Sequence, residues 1–190
     1  IRIMHTFPQL ELAAAYSKTK LNQIISSAVP APGQDSTKAT KPKSCMQALL
    51  DQEKLRQDFF AGFQYLTTVT KGKVGAVGFC YGGGIVNQLA VNFSNLSAAV
   101  PYYGPQPDEK EVLNIKAPLL LHYAELDSRI NEGITKFEQA LKDNKKNYTL
   151  YMYSGVNHGF HNDSTPRYDK QAADLSWSRT IEFFKKNLSN

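Results

Sequence analysis

Cysteine is scarce in this chain, with only Cys45 and Cys80 among 190 residues. Two cysteines do not make the disulfide framework of a small secreted domain. The sequence also has no Cys-x-x-Cys pair, which argues against a thiol-redox protein. No Cys/His spacing of the kind that binds zinc is present, so the sequence gives no reason to expect a metal site.

Long apolar runs are missing too. No stretch approaches the ~20 residues of a membrane-spanning helix, and no secretion-signal pattern is visible. The net charge is +5, but the basic residues are scattered, and the densest group, Lys38, Lys41 and Lys43, has no aromatic residues between its members. We therefore expect no nucleic-acid partner, no membrane partner and a cytoplasmic location.

An alternation of strand-like and helix-like segments dominates what is present. Short apolar or β-branched runs predict four strands, at about residues 73–79, 97–103, 117–123 and 148–153. Apolar stripes with helical spacing predict four helices, at about residues 50–68, 85–93, 131–143 and 169–188. This order is typical of a single α/β domain with a doubly wound, mostly parallel sheet.

The most informative stretch is Gly78-Phe79-Cys80-Tyr81-Gly82, between a predicted strand and a predicted helix. A strand, a sharp turn with a nucleophile at its apex and a helix form a nucleophile elbow, here with cysteine where serine is commoner. Glycine at positions 78 and 82 avoids collisions with neighbouring backbone, and the helix N-terminus favours a thiolate. A phosphate-binding turn and an inert buried thiol are the alternatives. Because a Cys45–Cys80 bridge would block this nucleophile, we expect reduced thiols.

A nucleophile of this kind needs a histidine base and an acid that orients the histidine. In α/β-hydrolases the chain order is nucleophile, then acid, then histidine. Asp127 lies just after the third predicted strand and His158 just after the fourth. Such carboxyl ends of parallel strands are where open α/β sheets keep their sites. Glu125 is an alternative acid and His161 an alternative base, although Gly159 and the position after the strand favour His158. Asp127 would also suit a turn or the N-cap of the following helix.

These residues give the chain a resemblance to the dienelactone hydrolase family of α/β-hydrolases, from about Leu50 to the C-terminus. The matching motifs are Gly78-Phe79-Cys80-Tyr81-Gly82-Gly83, Leu126-Asp127 and Asn157-His158-Gly159-Phe160-His161-Asn162-Asp163, the last as in a bacterial branch of the family. The resemblance implies a Cys80–Asp127–His158 triad that hydrolyses an ester or lactone, with the Tyr81 backbone N–H as an oxyanion donor. It implies a small-molecule substrate and no metal or organic cofactor.

The substrate itself is less well indicated. Asn162 stands where the original dienelactone enzymes have a substrate-carboxylate arginine, four residues after the histidine. Arg129 and Arg167 are nearby in sequence and are candidates for binding an anionic substrate, with a surface or structural role equally open. His161 and Tyr103 are further candidates for the substrate-binding wall, although simple burial is the default for Tyr103. We expect an ester or lactone of unspecified identity.

The N-terminal part departs from the family pattern. Residues 1–45 form an atypical polar segment with one hint of extended structure at Ile24–Pro30, whereas residues 46–190 match the C-terminal portion of an α/β-hydrolase domain. The earlier strands, and the second oxyanion donor with them, are not recognisable, which favours a truncated or divergent N-terminus. The strand at 73–79 is then expected to expose an apolar edge, which a homodimer would cover. The alternative is that residues 1–45 cover this edge in an unfamiliar way. A catalytically impaired remnant or a non-catalytic interaction domain is the alternative function.

Overall fold

The structure is a computed structural model that describes residues 2–5, 45–70 and 72–189, with side chains described from residue 53 onwards. The segment Ile24–Pro30 lies outside the described residues. Within the described ranges, no helix combines the length and the apolar character needed to cross a bilayer.

Five described strands form one sheet in sequential order, namely β1 (Arg2–His5), β2 (Val74–Phe79), β3 (Leu96–Tyr102), β4 (Leu119–Ala124) and β5 (Tyr148–Tyr153). Strands β2 to β5 are parallel, whereas β1 pairs antiparallel with β2. All six residues of β4 are buried. A continuous apolar run in the sequence is what such a strand requires, because both of its faces are covered.

Helices cover both faces of the sheet. They are α1 (Cys45–Val69), α2 (Tyr81–Asn92), α3 (Ser128–Asn131), α4 (Ile134–Asp143) and α5 (Lys170–Leu188), with a 3₁₀ helix at Glu109–Asn114. One core cluster includes Phe63 of α1, Leu89 of α2 and Phe137 of α4. A second cluster contains Phe184 and Leu188 of α5 with the strand residues of the opposite face. The loops at the carboxyl ends of the strands therefore rest on two separate layers of packed side chains.

The predicted α/β class with a four-strand parallel sheet is confirmed, and no strand boundary moves by more than two residues. Three helices differ more from their predicted bounds, and the first of them, α1, begins at Cys45, five residues before its predicted start. Helix α2 begins at Tyr81 and not near residue 85, because its glycines continue the turn directly into the helix. The helix predicted at 131–143 begins at Ile134, since Gly133 and the residue before it separate it from the short helix α3, which is consistent with the poor helix propensity of glycine.

The expectation of an exposed edge on β2 is wrong, because β1 occupies that edge. Arg2 lies opposite Val77 and His5 opposite Val74 in an antiparallel register. The N–H and C=O groups along a strand edge require partners, and this short strand supplies them. The reason for expecting a homodimer to cover the edge of β2 is thereby removed.

Candidate active site

Cys80 lies at a sharp turn between β2 and α2. Its backbone has φ 56° and ψ −119°, a conformation that non-glycine residues rarely adopt. The Cys80 N–H donates to the carbonyl oxygen of Tyr102 at 3.0 Å, and its own carbonyl accepts from Gly83 N at 2.9 Å. The side chain is exposed. The turn thus holds the sulfur above the carboxyl end of the sheet and next to a helix N-terminus.

Glycine is required at position 78 by the tightness of this turn. A Cβ atom there would lie 2.1 Å from the carbonyl oxygen of Gly82. Gly83 is similarly confined, since a Cβ atom on it would lie 2.6 Å from the carbonyl oxygen of Tyr102. The strand and the helix therefore approach as closely as they do because both positions lack a side chain.

The structure brings the three side chains of the predicted triad together. His158 Nδ1 lies 2.5 Å from Asp127 Oδ2, and His158 Nε2 lies 3.0 Å from Cys80 Sγ. Asp127 follows β4, and His158 lies in the loop after β5, as the sequence predicted. Because the Asp127 carboxylate accepts the proton on Nδ1, the unprotonated Nε2 of a neutral imidazole faces the sulfur. The contacts form one continuous path from carboxylate to sulfur.

Asp127 also caps a helix. Its carboxylate accepts a hydrogen bond from the backbone N–H of Ile130 at 3.4 Å, at the start of α3. The side chain is only 6% exposed. The two interpretations drawn from the sequence, helix cap and histidine partner, are therefore compatible, since each carboxylate oxygen has its own contact.

Glu125, the alternative acid, has a different set of partners. Its Oε2 accepts hydrogen bonds from the Gly155 N–H and the Ser154 hydroxyl, each at 2.7 Å. These two bonds, the backbone one first, hold the pKa of Glu125 below its usual range. Glu125 thus anchors the turn that leads from β5 towards His158, and its carboxylate contacts backbone and hydroxyl groups there.

A cavity of about 750 Å³ opens beside the sulfur. Among the predicted substrate-binding residues, Tyr103, His161 and Arg167 line this cavity. Arg129 is exposed on α3 and does not line it. Four other residues of the wall were not among the predicted substrate-binding residues, namely Asp163, Tyr168, Asp174 and Trp177. Trp177 of α5 packs on the core and also forms part of the cavity wall.

His161 forms an aromatic part of the wall and does not take the place of His158. Its ring lies 4.9 Å from Phe79 and 5.7 Å from Trp177, measured between ring centroids. Its Nε2 atom is buried and has no hydrogen-bond partner among the described residues. Burial lowers the pKa of His161, which favours the neutral ring.

Tyr103 packs directly against the candidate base. Its ring centroid lies 4.9 Å from that of His158, and its backbone has a φ of 35°. Burial raises the pKa of the Tyr103 hydroxyl above its usual range, with the nearby Cys80 as the next contribution. Tyr103 thus stays neutral and forms a rigid side wall to the imidazole.

Tyr81, the predicted oxyanion donor, is the first residue of α2 and directly follows Cys80. The amides in the first turn of a helix and the macrodipole favour negative charge at this point. An oxyanion formed next to Cys80 would lie close to this helix end. The donor role of the Tyr81 N–H stays a prediction.

Solved structures share this arrangement of sheet and helices. The crystal structure of a Klebsiella pneumoniae protein provisionally named a dienelactone hydrolase superposes with a TM-score of 0.56 at 26% identity. The superposition covers 59% of this chain and 51% of that one. The fold is that of the α/β-hydrolases.

Sequence comparison gives the family. The profile of the dienelactone hydrolase family matches residues 14–188, and the chain belongs to this family. A Saccharolobus solfataricus protein provisionally named carboxymethylenebutenolidase is 32% identical over 136 residues, which are 71% of this chain and 52% of that protein. The human carboxymethylenebutenolidase homolog is 34% identical over 122 residues, 61% of this chain and 49% of that protein. The chain spans about half the length of these curated relatives.

Proposed function

We propose that this protein hydrolyses a small ester or lactone through a covalent intermediate on Cys80. The observation that carries the proposal is the path of two contacts, 2.5 Å from Asp127 to His158 and 3.0 Å from His158 to the Cys80 sulfur. Family membership supports a hydrolase, and the geometry supports the choice of nucleophile, base and acid. Asp127 orients His158, and His158 exchanges a proton with Cys80.

The first step is acyl transfer to sulfur. His158 Nε2 takes the thiol proton, and the thiolate attacks the substrate carbonyl, forming a C–S bond and a tetrahedral oxyanion. When the intermediate collapses, the C–O bond breaks, and His158 gives its proton to the departing alkoxide. The products are a thioester on Cys80 and an alcohol, which remains tethered to the acyl group when the substrate is a lactone.

The second step returns the enzyme to its starting state. His158 removes a proton from water, and the resulting hydroxide attacks the thioester. When the C–S bond breaks, a carboxylic acid is released and the Cys80 sulfur takes back the proton from His158. The Asp127 carboxylate favours the imidazolium formed in each step, because it accepts the Nδ1 proton throughout. The backbone N–H of Tyr81 is proposed as one donor to the oxyanion in both steps.

The cavity residues support a broad class of substrate. Asn162 carries no charge, and the wall combines the carboxylates of Asp163 and Asp174 with the guanidinium of Arg167. Asp174 also forms an ion pair with Lys170 on α5. This mixed lining suits an ester or lactone with polar substituents, and it gives no reason to select dienelactone among them.

Trapping the acyl group tests the proposal directly. We expect acid quenching during the first turnover of 4-nitrophenyl acetate to leave one acetyl group on the tryptic peptide 74–110, which contains Cys80 and no other cysteine. Peptide 44–54, which contains Cys45, serves as the internal control and should stay unlabelled. A Cys45→Ala variant should label as the wild type does. Undiminished hydrolysis after complete alkylation of Cys80 would contradict the proposal.

A matched pair of substitutions distinguishes the two candidate acids. Asp127→Asn is expected to lower kcat for aryl-ester hydrolysis by at least about 100-fold, because the amide no longer favours the tautomer that directs Nε2 to sulfur. Glu125→Gln should stay within about threefold of wild type, since its amide oxygen still accepts from Ser154 and Gly155. Steady-state kinetics of both variants check this order. The reverse order would make Glu125 the functional acid.

A further inference from the structure

Behind the candidate site lies a group of polar side chains that the proposed chemistry does not use. His122, Tyr102 and Thr180 are fully buried, and Tyr153 is 6% exposed. Tyr102 and His122 are register partners at the carboxyl ends of β3 and β4, and Thr180 faces them from α5. Buried polar groups are costly unless they are hydrogen-bonded, so the contacts among these four decide what the group does.

One arrangement of protons satisfies every contact in this group. The Thr180 hydroxyl donates to the Ser176 carbonyl at 2.9 Å, so its oxygen can only accept from its other neighbours. Tyr102 Oη lies 2.7 Å from that oxygen, and His122 Nε2 lies 3.1 Å from it. With the Thr180 proton placed in this way, Tyr102 donates its hydroxyl proton to Thr180, and His122 carries a proton on Nε2.

The same reasoning continues on the other side of His122. A neutral imidazole with a proton on Nε2 accepts at Nδ1, which lies 2.9 Å from the Tyr153 hydroxyl. Tyr153 therefore donates to His122, and its oxygen accepts from Arg179 Nη1 at 3.1 Å. We name this set, Arg179, Tyr153, His122, Thr180 and Tyr102, the buried chain. The Ser176 hydroxyl, which donates to the Ala173 carbonyl, is a further neighbour of the Tyr102 and Tyr153 hydroxyls. This arrangement gives His122 one tautomer, with its proton on Nε2.

Two backbone hydrogen bonds connect the buried chain to the turn that holds Cys80 and to Tyr103 beside His158. The hydroxyl of Tyr102 is the last group of the buried chain, and the backbone carbonyl of Tyr102 accepts a hydrogen bond from the Cys80 N–H at 3.0 Å. The next residue, Tyr103, donates its N–H to the His122 carbonyl at 2.7 Å and packs its ring against His158. Rotation or displacement of Tyr102 would therefore move the backbone that holds the sulfur and the wall that holds the imidazole.

We infer that the buried chain is a positioning device for Cys80 and His158, with Thr180, His122 and Tyr102 as positioning residues. Thr180 is the central member, because its hydroxyl oxygen accepts two hydrogen bonds and its hydroxyl proton is donated to the Ser176 carbonyl of α5. The inference rests on the proposed function only for the measurements of turnover. The reactivity of Cys80 towards iodoacetamide reports the same geometry without any ester, so the two claims fail independently.

The central experiment compares Thr180→Val with Thr180→Ser. Valine keeps the shape but removes the acceptor, and we expect the alkylation rate of Cys80 at neutral pH to fall on the order of tenfold, as does kcat, with KM little changed. The pH profile of alkylation should also shift towards that of an unassisted thiol. Serine keeps the hydroxyl and should restore both rates. A folded Thr180→Val protein with wild-type alkylation and pH profile would overturn the inference.

A second pair covers the case in which Thr180→Val does not fold. Tyr102→Phe removes only the hydroxyl that donates to Thr180 and should slow alkylation in the same direction. Tyr123→Phe is the matched control, since Tyr123 is equally buried and its hydroxyl accepts from Gln106 on the other face of the sheet. Equal effects of the two substitutions would overturn the inference.

The tautomer of His122 gives a readout that needs no variant. Long-range ¹H–¹⁵N spectra of the wild-type protein are expected to show a neutral His122 ring with its proton on Nε2. A proton on Nδ1, or rapid averaging between the two nitrogens, would mean that the hydrogen bonds of the buried chain do not all point in one direction. Either result would overturn the inference.

Discussion

Replacement of Cys80 by alanine is expected to lower kcat/KM for aryl-ester hydrolysis by on the order of 10⁴-fold or more. The sulfur lies 3.0 Å from His158 Nε2 and is the group that forms the proposed covalent bond. Its removal leaves the cavity and the helix end but no route to a thioester. Alanine and cysteine bear the same strain at a φ of 56°, so the fold should be little affected.

The effects of Cys80→Ala and His158→Ala should not add. Residues that act as a unit lose almost all of their joint effect when any one is removed, so the double variant should be about as slow as either single variant. Cys45→Ala is the matched cysteine control and should keep wild-type kinetics. A Cys80→Ala protein with more than about a tenth of wild-type activity would show that Cys80 is not the nucleophile.

Acidification is expected to destabilise the fold through His122. Burial first, and then the charges of Arg179 and His161, lower the pKa of His122 from 6.5 to about 3. In the unfolded protein His122 therefore binds a proton near pH 6.5, whereas in the folded protein it stays neutral at that pH. Below that pH the free energy of unfolding falls by at most about 1.4 kcal/mol per pH unit, which amounts to about 2 kcal/mol at pH 5, until the folded-state value is reached.

Denaturant unfolding at a series of pH values between 7 and 4 measures this slope. The groups that face His122 are the hydroxyls of Tyr153 and Thr180, the rings of Tyr102 and Tyr151 and the Arg179 guanidinium. None of them is a carboxylate that would favour the charged ring. His161 contributes in the same direction, since burial lowers its pKa too. A His122→Gln variant should show a shallower slope. Equal slopes would show that His122 is not the group responsible.

The parts of the fold that could be predicted are those with a local physical cause. The apolar run of β4 reads as a buried strand because both of its faces are covered, and Gly78 marks the turn because any side chain there would meet the backbone of Gly82. Chain order alone placed Asp127 and His158, since carboxyl ends of parallel strands share one edge of the sheet. Their roles in catalysis remain proposals.

The parts that could not be predicted depend on contacts between distant residues. Arg129 and Arg167 are equivalent in sequence terms, and only the folding of the loop before α5 places Arg167 over Gly159 and into the cavity wall. The pairing of β1 with β2 joins residues about seventy positions apart and leaves no local signature. The buried chain joins three strands and a helix, so no periodicity in any one of them reveals it. The cytoplasmic location and the division at residue 45 stay predictions.

The cap that Asp127 places on α3 has a consequence for interpreting related sequences. A lineage that lost its hydrolytic activity would still benefit from aspartate at this position, because the start of the helix needs an acceptor. Cysteine at position 80 has no such structural role, since glycine adopts the positive φ of this position with less strain than cysteine does. Evolutionary decay of the site should therefore appear first as glycine at position 80, while the aspartate persists, and the cysteine is the better marker of a working descendant.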